Sequence, residues 1–151
     1  MLIVSALSQR LFGDAAHRSC PAVPFERLDK NDSVLLVLDL QVGLYSLARD
    51  FDPTLYYNNM LAHAGIGKLF DIPVILSTSA QQGPNGPLPK AILDQYPDAP
   101  LIQRQGEVDA WDNAEFREAV RATGKKQVIL AGITTDVCEW LELFSVPLTG
   151  C

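Results

Sequence analysis

Gln127-Val128-Ile129-Leu130-Ala131-Gly132-Ile133-Thr134-Thr135-Asp136-Val137-Cys138 passes from an apolar run, through a glycine-containing turn, to a single cysteine. The run has the length and β-branched content of a strand buried on both faces. The residues after the turn have helical spacing: Val137, Trp140, Leu141 and Phe144 share one face, and Pro147 ends it. Cys138 therefore falls in the expected first turn of a helix. There the unpaired backbone N–H groups and the positive end of the helix dipole favour a thiolate.

Working outward, Ser33 to Leu38 is a second continuous apolar run, and it ends in Asp39. Ile72 to Ser77 and Pro100 to Gln103 predict two further strands, with Pro73 tolerated near a strand start. Between them Pro53 to Phe70 predicts a helix with Tyr57, Met60, Leu61 and Ala64 inward, its second half weakened by Gly65 and Gly67. Gln81 to Pro89 is a Gly/Pro/Asn loop, read as a rigid border to a pocket or a subunit contact, and Lys90 to Tyr96 a short helix. Asp112-Asn113-Ala114-Glu115 resembles a capping box with Asp112 as cap. Phe116, Ala119, Val120 and Thr123 then recur at helical spacing before Gly124. Strands alternating with helices predict an α/β fold with a parallel sheet.

In such a sheet the carboxyl ends of the strands share one edge, so Asp39, Arg104 and Cys138 can meet there. A cysteine beside a carboxylate base is the pattern of a nucleophile and its activator. Plainer readings stand beside it. Cys138 could be a buried structural cysteine, Asp39 could cap the next turn through Gln41 or Gly43, and Arg104 could be a surface arginine. Trp111 is a candidate pocket wall or plain core. His63 is expected to be a partly exposed helix residue.

Composition narrows the classes. The chain of 151 residues carries 12 basic and 18 acidic residues, a net charge of −6, with no basic patch, which argues against nucleic acid as a partner. No run of about 18 apolar residues exists to span a membrane. Cys20, Cys138 and Cys151 are odd in number and widely spaced, which is not a disulfide framework and points to a reducing, cytoplasmic setting. Residues 1–24, set off by Pro21 to Pro24, are expected to be a disordered extension. Arg10, Arg18 and several serines there give a weak likeness to a mitochondrial transit peptide, against which Asp14 counts. Neither His17 nor His63 lies in a ligand-spaced cluster, so no metal is expected, and no cofactor motif is present.

RLDKNDSVLLVLDLQVGLYSLARD at Arg27 to Asp50, GPNGPLPK at Gly83 to Lys90, PDAPLIQRQGEVDAWDN at Pro97 to Asn113 and ATGKKQVILAGITTDVC at Ala122 to Cys138 together resemble the isochorismatase-like (cysteine hydrolase) family, and more narrowly its YcaC-type subgroup. The resemblance implies a Rossmann-like, three-layer α/β/α sandwich. The four strands just described would lie in the order third, second, first, fourth, within a domain at residues 25–151. It also implies a homo-oligomer acting on a small molecule. The family's Asp-Lys-Cys triad falls on Asp39, Arg104 and Cys138, with arginine in the lysine place. A family cis peptide falls between Ile133 and Thr134, where it would aim the N–H groups of Thr134 and Cys138 at an oxyanion. The implied reaction is hydrolysis of a small amide or related C–N bond through an acyl-thioester on Cys138. The family sheet continues with two strands for which Ser145 to Cys151 give no signal. The chain is therefore expected to be a truncated product with the edge at Gln127 to Ala131 uncovered. The competing expectation is a non-catalytic chain of the same family with an incomplete pocket. A redox-active cysteine is a weaker third, because Cys138 has no resolving cysteine nearby.

Overall fold

A computed structural model describes residues 5–8, 27–50 and 52–133. Their strands are β1 (Ser5–Ser8), β2 (Ser33–Leu38), β3 (Val74–Ser79), β4 (Leu101–Arg104) and β5 (Gln127–Ala131). They form one sheet in the order β1-β5-β2-β3-β4. The four strands from β2 onward are mutually parallel, with Leu35 opposite Val74 and Ile129, and Ser77 opposite Ile102. This is the predicted α/β architecture and the predicted order of those four strands. β1 is new: four residues of the stretch expected to be a disordered extension pair antiparallel with β5, Ser5 opposite Leu130 and Ser8 opposite Gln127. The edge expected to be bare thus carries a strand.

The helices are α1 (Val42–Tyr45), α2 (Pro53–Phe70), α3 (Lys90–Leu93) and α4 (Ala114–Ala122), with single 3₁₀ turns at Lys30–Asp32 and Ala110–Asp112. Alternation along the strands divides the core in two. Leu35, Val37, Val74, Leu76 and Ile129 turn to the side of α2 and α3, where they meet Tyr56, Met60, Ala64 and Ile92. Val34, Leu36, Leu38, Ile75, Ile102 and Leu130 turn to the other side, onto Phe116 and Val120 of α4. β2, buried along its whole length, is the middle of this three-layer sandwich.

α2 starts where Asp52 accepts from Leu55 N at 2.8 Å and Pro53 takes the first turn. Its buried stripe is Tyr56, Met60, His63, Ala64 and Gly67, with Tyr57 and Leu61 only half-buried. The inward face is therefore turned from the predicted one, and His63 is buried, not partly exposed. Gly67 is also more than a weak helix position. A Cβ there would overlap Val74 Cγ2 and meet Tyr96 Oη at 3.0 Å, so glycine lets the helix lie close on β3. The cap of α4 is Asn113, one residue after the predicted Asp112, with Oδ1 accepting from Phe116 N at 3.0 Å. Asp112 lies instead in the preceding 3₁₀ turn. Among the described residues no helix is long and apolar enough to cross a membrane.

Candidate functional site

The carboxyl ends of β2, β3 and β4 converge on a cluster of buried polar side chains. Asp39 follows β2 directly, and its N–H donates to Ser77 O at 3.1 Å. It has a left-handed backbone, φ 52°, which a residue with a Cβ adopts at a cost of about 1–3 kcal/mol. Arg104 ends β4. Both side chains are fully withdrawn from solvent and form an ion pair through Arg104 Nη2 and Asp39 Oδ2. Arg104 Nε donates to Ser77 Oγ at 3.0 Å, and Nη1 donates to the carbonyl of Glu107 at 2.7 Å. The guanidinium thus has an acceptor at each of its three nitrogens. Asp39 Oδ1, by contrast, is buried with no partner among the described residues.

Two loops frame this cluster. Gln41 is buried, accepts from Ser79 N at 2.8 Å, and donates to Ser79 O at 3.1 Å and to Gly86 O. Val42 N and Gly43 N donate to Pro87 O and Asn85 O. The Gly/Pro loop is thereby fastened to the start of α1, and a Cβ at Gly43 would overlap Pro84 O. A cavity of about 140 Å³ lies between Ala80–Gly83, where this loop begins, and Gln103–Gln105. After β4, the Glu107 carboxylate accepts from Asn113 Nδ2 and from the N–H groups of Gln105 and Gly106. The Asn113 bond first, then the backbone donors, lower its pKa.

Of the residues expected to carry chemistry, Asp39 and Arg104 are brought together, and Arg104 is far from a surface arginine. Ile133 is half-buried and packs toward the α2-side core. Trp111 is half-buried, edge-on to Phe116 with ring centroids 6.3 Å apart, and the Arg121 guanidinium lies 5.9 Å from its ring centre. Cys138 and Thr134 lie outside the described residues, and with them the Ile133–Thr134 bond expected to be cis. Sequence reasoning missed Ser77, Gln41 and Glu107. The available signal for Ser77 was a polar Ser77-Thr78-Ser79 ending an otherwise apolar strand, two of whose residues, Ser77 and Thr78, are fully buried. Among the described residues no group of three or more His, Cys, Asp or Glu could hold a metal ion.

Against known proteins, residues 33–139 match the Isochorismatase domain family. Over 115 residues the chain is 52% identical to a probable hydrolase, YcaC, of Escherichia coli K12, covering 76% of this chain and 55% of that protein. Two solved structures superimpose with a TM-score of 0.79 at 50% identity. One is YcaC from Pseudomonas aeruginosa with hexane-2,5-diol and covalent acrylamide, covering 83% of this chain and 62% of that one. The other is YcaC from Escherichia coli, described as an octameric hydrolase of unknown specificity, covering 83% and 61%. The chain thus spans somewhat over half the length of these relatives.

Proposed function

We propose, from the premise that this chain belongs to the isochorismatase family, that it hydrolyses a small amide or related C–N bond with Cys138 as nucleophile. The observation that carries the reading is the Asp39 carboxylate. It is buried at the carboxyl edge of the sheet, with one oxygen held by Arg104 and the other unpartnered among the described residues. A free carboxylate oxygen in that position is suited to accept a thiol proton.

In the proposed sequence Asp39 Oδ1 takes the proton of the Cys138 thiol, and the thiolate attacks the substrate carbonyl carbon. The C=O electron pair moves to oxygen, where the N–H groups of Thr134 and Cys138 hold the oxyanion. Collapse breaks the C–N bond, the amine leaves with the proton from Asp39, and an acyl-thioester remains. Water, deprotonated by Asp39, attacks the thioester and releases the acid and the Cys138 thiol. Arg104 keeps its charge throughout and holds the ionised carboxylate in place. In the same reading the chain is a cytoplasmic homo-oligomer, in keeping with the octamer described for the Escherichia coli relative.

The covalent acrylamide of the Pseudomonas relative suggests the probe, a small amide that is also an acceptor for a thiolate. Purified protein is incubated with acrylamide and with a panel of small amides, and adducts are assigned by mass spectrometry. Adduct and acyl-enzyme mass on Cys138, both suppressed by Asp39→Asn, are expected. Labelling of Cys20 ahead of Cys138, or no turnover of any amide by a folded sample, would favour the non-catalytic alternative.

A further inference from the structure

Ser77 lies on β3 between the two members of the buried ion pair. It is opposite Leu38 on β2 and opposite Ile102 on β4. Its carbonyl accepts from Asp39 N, and its hydroxyl accepts from Arg104 Nε. Strand alternation places Ser77 on the side that Ile75 and Ile102 share, the α4 side, where the neighbours are apolar. A serine there, with no solvent exposure, is out of keeping with its surroundings unless the hydroxyl is used.

A guanidinium is planar, and its direction is set by the torsions leading to Nε. With Nε–H on Ser77 and Nη1 on the Glu107 carbonyl, the plane has two fixed points. The two N–H groups of Nη2 are then fixed in direction, and one of them meets Asp39 Oδ2. The Ser77–Arg104 bond is local to the strand pair β3–β4, whereas the Asp39 bond joins β2 to β4 across β3. Removing the hydroxyl leaves a buried charged N–H without an acceptor, which the side chain can relieve only by turning.

We infer that Ser77 is a positioning residue for the Asp39–Arg104 pair, fixing the guanidinium so that it engages one carboxylate oxygen and leaves the other without a partner among the described residues. The inference rests on the hydrolase reading only for its consequence at Cys138, since the geometry belongs to described residues on β3 and β4 and directly after β2 and β4.

The test uses the full chain with Ser77→Ala, Ser77→Thr, Arg104→Lys, the Ser77→Ala/Arg104→Lys pair and Asp39→Asn, with thermal unfolding of each to verify folding. The first readout is solvent exchange of the Arg104 Nε–H by nitrogen-15 NMR. Ser77→Ala should speed it about tenfold, the worth of one hydrogen bond to a charged group, and Ser77→Thr should restore it. The second is the rate and pH profile of iodoacetamide reaction at Cys138. Ser77→Ala should lower the rate about tenfold, and should lower it no further in the Arg104→Lys background, where no guanidinium remains to be positioned. Unchanged exchange, failure of Ser77→Thr to restore it, or an equal loss of rate in both backgrounds would overturn the inference. If Asp39→Asn and Arg104→Lys leave Cys138 alkylation unchanged, the hydrolase reading fails, and the Nε–H exchange alone then decides the role of Ser77.

Discussion

The two faces of the sheet bury polar side chains on opposite terms. On the α4 side Arg104 is held by acceptors from three places, Asp39 after β2, Ser77 on β3 and the Glu107 carbonyl in the loop after β4. On the α2 side His63 is almost as deeply buried, yet among the described residues it has a single hydrogen bond, between Nε2 and Leu36 O at 3.3 Å, and its Nδ1 has no partner there. Desolvation lowers the His63 pKa, and the one backbone hydrogen bond only partly offsets it. A charge survives burial where strand ends and loops converge with spare acceptors. The middle of a helix–sheet contact offers few, because the backbone groups there are mostly committed to their own ladders. Left-handed backbone outside glycine is shared between the two sides, since Asp71, with φ 57°, caps the end of α2. Asp39 and Ala80, both with positive φ, sit at the carboxyl ends of β2 and β3 beside the charged cluster.

The sharpest way to break the comparison is to remove one polar group from each face. Arg104→Leu leaves the Asp39 carboxylate buried without its cation, and should cost about 3–5 kcal/mol in urea unfolding at pH 7.5. Adding Asp39→Asn to it should recover part of that loss, because no charge then remains buried. His63→Leu under the same conditions removes a neutral ring with one hydrogen bond and should cost about 1 kcal/mol or less. Equal losses for Arg104→Leu and His63→Leu would mean that the two faces do not differ in the way the geometry indicates.

A smaller effect tests why the α2 face is so dry. Gly67→Ala should gain up to about 1 kcal/mol in helix propensity. It also places a methyl against Val74 Cγ2 and Tyr96 Oη, and overpacking of that kind costs about 1–3 kcal/mol. Net destabilisation, with faster hydrogen exchange along the second half of α2, is expected. A more stable Gly67→Ala variant would show that the close approach at Val74 is not needed.

The difference between the faces was only half legible in the sequence. Unbroken apolar runs at Ser33 to Leu38 and Gln127 to Ala131 gave β2 and β5 with their observed limits, because a strand covered on both sides tolerates no polar break. That same logic put Asp39 and Arg104 on one edge. β3 and β4 were placed one or two residues early, since Ile72, Pro73 and Pro100 are apolar but Pro cannot donate to a ladder. The face of α2 was only partly legible: Met60 and Ala64 lie in its buried stripe as expected, but Tyr56, His63 and Gly67 complete it, with Tyr57 and Leu61 half-buried at its margin. The close approach of Val74 requires Gly67, a choice that hydrophobicity does not make. β1 gave no signal either, as Ser-Ala-Leu-Ser gains a place only by pairing with an edge far away in sequence. Ser77 left a partial signal in the polar end of β3, but its bond to Arg104, like that of the Glu107 carbonyl, spans strands and loops, which no local pattern encodes.

The smallest expected effect separates the faces by pH. His63 has a folded pKa below its ordinary 6.5, so the unfolded chain binds more protons than the folded one once pH falls below about 6.5. Stability from this group is therefore complete above that value and is lost as pH falls toward the folded pKa, at no more than about 1.4 kcal/mol per pH unit and by less than about 1 kcal/mol at pH 6. Glu107 works in a lower window. Its folded pKa lies below the usual 4.5, so its contribution is present above that pH and is lost only as pH falls through the folded value. Urea midpoints of the natural chain and of His63→Leu between pH 8 and 5 should run parallel above pH 7 and converge below 6.5, as the natural chain alone takes up the His63 proton on unfolding. Parallel curves down to pH 5 would show that His63 titrates alike in both states, and would remove it as the counter-example to Arg104.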